Sequence, residues 1–179
     1  TRKESSAASD VYKRQIYGMG AFGLASNLGI TREAAQNYIH LYFQRYPGVA
    51  EYMEQTREKA NRQGYVETVF GRRLWLPEIQ GAKGPRKAAA ERAAINAPMQ
   101  GTAADLIKKA MVAVQQWLDT EQLQSRLIMQ VHDELVLEVK NEEANQVRQK
   151  LPILMASVAQ LAVPLLAEVG EGENWEQAH

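Results

Sequence analysis

The sequence predicts an α+β fold in which a small antiparallel sheet is covered by helices. Three observations support this. Apolar residues recur at helical spacing over several stretches, two short segments alternate in the manner of β-hairpins, and Gly or Pro stands at most of the boundaries. With 179 residues, 45% of them hydrophobic and 23% charged, the chain can form one core, or one core with a small appendage.

The first half of the chain has strong local signals. Thr31 has the position of a helix N-cap, and the helix that follows is expected to stop at Pro47. A second helix is predicted over residues 49–63 and is ended by Gly64. Alternation on both sides of a Gly-containing turn then predicts a hairpin over residues 65–76.

The second half begins with a long Ala-rich helix, predicted over residues 87–119. Pro98 and Gly101 fall inside it and are expected to cause a kink or a break. The elements predicted after it are a hairpin, a helix and a short strand, at residues 126–139, about 142–160 and 164–169.

Composition limits where the chain works. No run approaches the roughly 18 apolar residues of a transmembrane helix, and the N-terminal residues lack the apolar segment of a signal peptide. We therefore expect a cytoplasmic location, which the absence of cysteine fits. Because 21 basic residues balance 21 acidic ones, any nucleic-acid surface must be local.

Positive charge is concentrated between positions 72 and 92, where six basic residues face only two acidic ones. Such a segment is either a solvated face or a track for phosphates, and charge alone favours the former. The six are Arg72, Arg73, Lys83, Arg86, Lys87 and Arg92.

A polar ridge follows on the long helix. Arg92, Asn96 and Gln100 are spaced four residues apart, so they lie along one helix face among alanines that let a partner come close. All three can donate hydrogen bonds, and the minor groove of duplex DNA offers similar acceptors at every base pair. A solvated helix face is the alternative.

Asp133 and Glu134 form a carboxylate pair at the tip of the second predicted hairpin. Adjacent carboxylates repel each other, and a bound divalent cation offsets that repulsion. An exposed polar turn is an equal alternative on these residues alone. A histidine zinc site is disfavoured, because His40 and His179 have no ligand spacing to His132.

Taken together, the motifs resemble the C-terminal part of family A DNA polymerases. The resemblance covers residues 16–179 in order and in register, and the fourteen-residue segment 92–105 is its most specific part. The matching segments are IYGM at 16–19, YFQRYPG at 42–48, GYVET at 64–68, GRR at 71–73, RAAINAPMQGTAAD at 92–105, QVHDE at 130–134 and GENW at 172–175. The implied fold is the end of the fingers followed by most of the palm.

The resemblance implies an activity for the parent protein. A nucleotidyl group would pass from a deoxynucleoside triphosphate to the 3′ hydroxyl of a primer, with pyrophosphate leaving, in DNA replication and repair. Two magnesium ions would carry the chemistry: one would lower the pKa of that hydroxyl, and both would stabilise the in-line displacement at phosphorus. Primer-template DNA and deoxynucleoside triphosphates would be the partners of a monomeric parent.

The resemblance also implies roles for single residues. Asp133 would be a metal ligand with Glu134 in support, and His132 would position the primer terminus. Tyr17 would help to form the site for the nascent base pair, with a core aromatic as the alternative. Contacts with DNA would come from Arg92, Asn96 and Gln100 in the minor groove and, more loosely, from Arg86 and Lys87 at phosphate.

Departures from the family limit what the chain can do alone. Residues 1–15 do not match the motifs, and Ser5 and Ser9 stand where the family has the arginine and lysine that hold the triphosphate. The family's other metal-binding aspartate lies upstream of the fingers, and no Asp on a suitable strand precedes Ile16. We therefore expect no nucleotide incorporation by these 179 residues alone.

The expected organisation is a non-matching segment at 1–15, the end of the fingers with a hairpin at 16–80, and part of the palm at 81–179. Two other functions stay open. One is a non-catalytic DNA-binding remnant, which would tolerate the loss of Asp133. The other is a metal-dependent hydrolase built on residues 132–134, which needs ligands that the sequence does not offer.

Overall fold

The computed structural model describes residues 20–178. The predicted α+β architecture is confirmed, because these residues are mostly helical and form two separate two-stranded antiparallel sheets. It divides into two compact units, Thr1–Gly101 and Thr102–His179. No helix within the described part is long and apolar enough to cross a membrane.

Three helices come first among the described residues of the first unit, and their ends follow local signals. Helix α1 covers Ala21–Leu28, α2 covers Arg32–Arg45 and α3 covers Pro47–Gln63. The Oγ1 of Thr31 accepts a hydrogen bond from the N–H of Ala34 at 3.2 Å, which confirms the predicted N-cap. Helix α3 starts two residues earlier than predicted, because Pro47 fits the first helical position.

The first hairpin follows α3 directly. Strands β1, Tyr65–Glu67, and β2, Arg73–Trp75, pair antiparallel, with Val66 opposite Leu74. Val66 points into a core, and a single turn of 3₁₀ helix, Pro77–Ile79, adds Ile79 to it. Helix α3 and the next helix complete this core, whose buried members are Ala60, Val66, Ile79, Ala90 and Ala94.

Helix α4 covers Gly84–Thr120 without interruption, so Pro98 and Gly101 do not break it, and the alternative of a kink stays a prediction. A proline removes one intrahelical hydrogen bond but leaves the turns on either side able to form. Two hydrogen bonds from the first unit hold those turns: Tyr52 donates to the carbonyl of Ile95, and Arg72 donates to the carbonyl of Gly101.

The second unit is built around the second hairpin. Strand β3, Arg126–Val131, pairs antiparallel with β4, Glu134–Glu138, with an irregularity in register between Leu127 and Met129. A 3₁₀ turn at Asn141–Glu143 leads into helix α5, Ala144–Ala156, and a short helix α6, Trp175–Ala178, lies near the end. The core of this unit has Val114, Trp117, Leu118, Val147 and Leu151 as its buried members.

Two predictions for the second unit are wrong. Residues 164–169 form no strand, because a β-segment needs a hydrogen-bonding partner and none pairs with them among the described residues. Helix α5 ends at Ala156 rather than near residue 160, and the N–H of Ser157 closes it by donating to the carbonyls of Ile153 and Leu154.

Candidate nucleic-acid interface and carboxylate hairpin

The tip of the second hairpin is a two-residue turn made by His132 and Asp133, because Val131 pairs with Glu134. His132 has φ +52°, a left-handed conformation that is uncommon for residues other than glycine. The side-chain amide of Gln130 donates a hydrogen bond to the carbonyl of His132 and so supports this turn. Sequence reasoning did not predict this hydrogen bond of Gln130, although the residue lies inside the matching segment 130–134.

The two carboxylates at this tip have different surroundings. Asp133 is exposed in the turn, whereas Glu134 is the first residue of β4 and is half-buried. Successive strand residues point to opposite faces, so adjacent positions in sequence do not by themselves bring two carboxylates to one point. Within residues 20–178 no group of three His, Asp or Glu side chains could hold a metal ion.

A second carboxylate organises the base of the same hairpin. Glu143 accepts hydrogen bonds from the N–H groups of Gln124 and Ser125, each at 2.9 Å, and from the hydroxyl of Ser125. The Ser125 oxygen in turn accepts one from the N–H of Lys140 at 3.2 Å. These donors, first of all the Gln124 N–H, lower the pKa of Glu143. The start of β3 is thereby tied to the segment that follows β4.

The predicted polar ridge lies on α4 in the first unit. Arg92 and Gln100 are exposed, and Asn96 between them is half-buried. None of the three side chains hydrogen-bonds to a residue in the part of the chain that the structure describes. The Oδ1 of Asn96 is buried and has no partner there, and an unsatisfied buried acceptor costs about 1–3 kcal/mol.

The six basic residues of positions 72–92 fall into two groups. Arg73 donates to Glu67 at 3.0 Å, which lowers the pKa of that carboxyl, and lies 4.6 Å from the ring centre of Tyr65. Arg72 donates to the carbonyl of Gly101. The other four form no ion pair with a residue between 20 and 178: Lys83, Arg86, Lys87 and Arg92.

The structure therefore places the predicted residues in two groups. Arg86, Lys87 and the ridge belong to the first unit, and residues 132–134 belong to the second. Tyr17 lies outside the described residues. Sequence reasoning missed Tyr52, whose hydroxyl donates to the carbonyl of Ile95, because the two residues are 43 positions apart.

The family model for DNA polymerase family A matches residues 7–177. The chain belongs to this family. The match includes residues 7–15, which the motif comparison leaves outside the resemblance.

Its relatives in that family are bacterial DNA polymerases I. The chain is 58% identical over 164 residues to DNA polymerase I of Pseudomonas aeruginosa, an alignment that covers 92% of this chain and 18% of the relative. It is 46% identical over 172 residues to the thermostable DNA polymerase I of Thermus aquaticus, covering 96% of this chain and 20% of that one. The chain thus spans about a fifth of these relatives' length.

A solved structure has the same fold. It is the POL domain of Pol1 from M. smegmatis in complex with DNA primer-template and dNTP. The TM-score is 0.92 and the sequence identity is 41%, over 99% of this chain and 31% of the other.

Proposed function

We propose that this chain is part of a DNA-directed DNA polymerase that binds primer-template DNA through the face of α4 that carries Arg92, Asn96 and Gln100. The observation that carries the proposal is the arrangement and the hydrogen bonding of these three side chains. They lie in a row within the family match, and none is bonded to a described residue. Four cations without an ion pair in residues 20–178 lie on or just before the same helix, where phosphate is their natural partner.

The ridge fits a minor groove. Arg92, Gln100 and the amide nitrogen of Asn96 can donate to the acceptors that every base pair presents there. Arg86 and Lys87, both exposed, are proposed to contact the DNA backbone.

For the chemistry, the proposal assigns Asp133 as a magnesium ligand, Glu134 as its support, His132 as a residue that positions the primer terminus and Tyr17 as part of the nucleotide site. Magnesium binds one or two protein carboxylates and completes its shell with water and phosphate oxygens, so the hairpin suits a contributing role. When bound, magnesium would activate the primer hydroxyl and stabilise charge at phosphorus.

The described residues do not form a complete metal site, because they contain no group of three potential ligands. We therefore propose that the 179 residues alone do not incorporate nucleotides and that the parent polymerase supplies further ligands. Replication and repair in the cytoplasm, with a monomeric parent, belong to the same proposal. The absence of a three-ligand group among residues 20–178 also favours one alternative, a DNA-binding remnant without catalysis.

The test is binding of a fluorescent primer-template duplex by the 179-residue chain, followed by anisotropy. Gln100→Ala should weaken binding about five-fold. Gln116→Ala, an exposed glutamine on the same helix in the second unit, should leave it unchanged. Equal affinities for all three proteins would refute the α4 face as the DNA site.

Catalysis is tested separately in the complete reading frame that contains this chain. Primer extension that needs Mg²⁺ and disappears in Asp133→Ala supports the polymerase. DNA binding that is indifferent to Mg²⁺, with no extension by the complete protein, supports the remnant instead.

A further inference from the structure

Two side chains from other elements hold the backbone of α4 at points that lie on either side of Asn96 and Gln100. The hydroxyl of Tyr52 on α3 donates to the carbonyl oxygen of Ile95 at 3.0 Å. The Nη2 of Arg72, at the end of the first hairpin turn, donates to the carbonyl oxygen of Gly101 at 2.9 Å. Ile95 directly precedes Asn96, and Gly101 directly follows Gln100.

Pro98 makes this stretch of α4 the part that most needs support. Its ring nitrogen carries no proton, so the carbonyl of Ala94 loses its helical hydrogen bond. Helices usually bend at such a point. Asn96 and Gln100 lie on opposite sides of Pro98, so a bend there would change the distance and the angle between their amide groups.

The hairpin turn reaches α4 because residue 101 is glycine. A Cβ at Gly101 would lie 2.7 Å from Cγ2 of Thr68 and 3.3 Å from Nη2 of Arg72. Thr68 is itself fixed. It is buried, and its Oγ1 accepts hydrogen bonds from the N–H groups of Phe70 and Arg72 at 3.3 and 3.2 Å. Arg72 therefore acts from a rigid turn.

Tyr52 is also held in place. It is half-buried, and burial raises the pKa of its phenol against the opposing effect of a hydrogen bond with Thr56. The raised pKa favours the protonated phenol, which is the form that donates to the carbonyl of Ile95.

We propose that Arg72 and Tyr52 are positioning residues, which hold the α4 segment on both sides of Pro98 so that Asn96 and Gln100 meet the same duplex in register. The inference rests on the proposed DNA-binding role of the ridge. Neither residue needs to touch DNA, and both act through the backbone of α4.

The test compares Arg72→Met, which removes the donor, with Arg72→Lys, which restores one. Arg73→Met is the matched control, because Arg73 lies on the same hairpin and contacts Glu67 instead of α4. On the primer-template duplex, Arg72→Met should weaken binding about three- to ten-fold. Arg72→Lys should recover most of that affinity, and Arg73→Met should lose less than two-fold.

The coupling between Arg72→Met and Gln100→Ala separates a positioning role of Arg72 from a direct contact of Arg72 with DNA. If Arg72 acts through the ridge, Arg72→Met should have little further effect in a chain that already carries Gln100→Ala. Tyr52→Phe provides a second, independent variant, which keeps the ring and should also weaken binding with no change in the melting temperature beyond about 2–4 °C.

Several outcomes would overturn the inference while leaving the proposed function intact. These are unchanged affinity in both Arg72→Met and Tyr52→Phe, a loss in Arg73→Met as large as that in Arg72→Met, or full additivity of Arg72→Met with Gln100→Ala. The same variants are compared in the complete protein that contains this chain, and failure of that unmodified protein to bind the duplex would instead refute the proposed function itself.

Discussion

Ser125 donates two hydrogen bonds to the same carboxylate oxygen of Glu143, one from its backbone N–H and one from its hydroxyl. Ser125 is 4% exposed, so these bonds lie at the edge of the core of the second unit. They join the start of β3 to the segment after β4 and thereby fix the base of the hairpin whose tip carries Asp133.

Replacement of Ser125 should loosen that base. Ser125→Ala removes the hydroxyl that donates to Glu143 and accepts from the N–H of Lys140. We expect the melting temperature to fall by about 2–4 °C, measured by circular dichroism. Ser157→Ala is the control, since its hydroxyl bonds only to Leu154 in an exposed turn. Equal losses in the two variants would argue against a special role of Ser125.

The Glu143 carboxylate should also make stability depend on pH. Its pKa is lowered in the folded chain from an ordinary value of 4.5, so the stabilisation is fully present above that value and disappears as pH falls through the lower folded-state pKa. Glu143→Gln should be less stable than the unmodified chain at pH 7 and should lose less stability between about pH 5 and pH 3. Urea titrations at each pH measure this, and parallel pH profiles for the two proteins would contradict it.

Gly101→Ala should destabilise the first unit, although alanine in a helix interior is normally better than glycine by about 0.5–1 kcal/mol. The added Cβ would meet Cγ2 of the buried Thr68 at 2.7 Å, and such overpacking costs about 1–3 kcal/mol. Thr68→Ser removes the methyl group but keeps the oxygen that closes the turn. The double variant should therefore be more stable than Gly101→Ala in urea unfolding. No recovery would show that the contact is not the cause.

Variants of His132 separate the effect of the turn's backbone conformation from the proposed role of the His132 side chain. At φ +52° glycine relieves about 1 kcal/mol of strain, so His132→Gly should melt at the same or a higher temperature. In the complete polymerase the same variant should slow primer extension in a single turnover, because the side chain that positions the primer is gone. His132→Asn is the matched control for the backbone conformation, because asparagine tolerates a positive φ. A less stable His132→Gly would contradict the assignment of strain.

Asp133→Asn tests the metal ligand without changing the shape of the tip. In the complete protein, Mg²⁺-dependent extension should fall to background because the amide carries no charge. Duplex binding should stay within about two-fold, since the proposed DNA contacts are made by the α4 ridge. Glu138→Gln, an exposed acid at the other end of β4 that pairs with Arg126, is the control. Extension by Asp133→Asn at the level of that control would remove Asp133 from the chemistry.

Much of the fold could be predicted because its signals are local. Thr31 begins a helix by bonding three residues ahead, the helix that follows it ends just before Pro47, and Gly64 ends a helix at φ +76°, and none of these depends on distant parts of the chain. Both hairpins were predicted for the same reason, since their strands adjoin their own turns. The ridge followed from helical spacing alone.

The sequence by itself determined the family, the α+β class, both hairpins and the residues that the site proposals use, because residue spacing and motif order are properties of the chain alone. Only the tertiary structure decided that α4 continues through Pro98, that residues 164–169 lack a strand partner, and that Arg72 bonds to α4 while Arg73 does not. These outcomes depend on contacts such as Tyr52 with Ile95 and Arg72 with Gly101, 43 and 29 positions apart, whose energies exist only once the chain has folded.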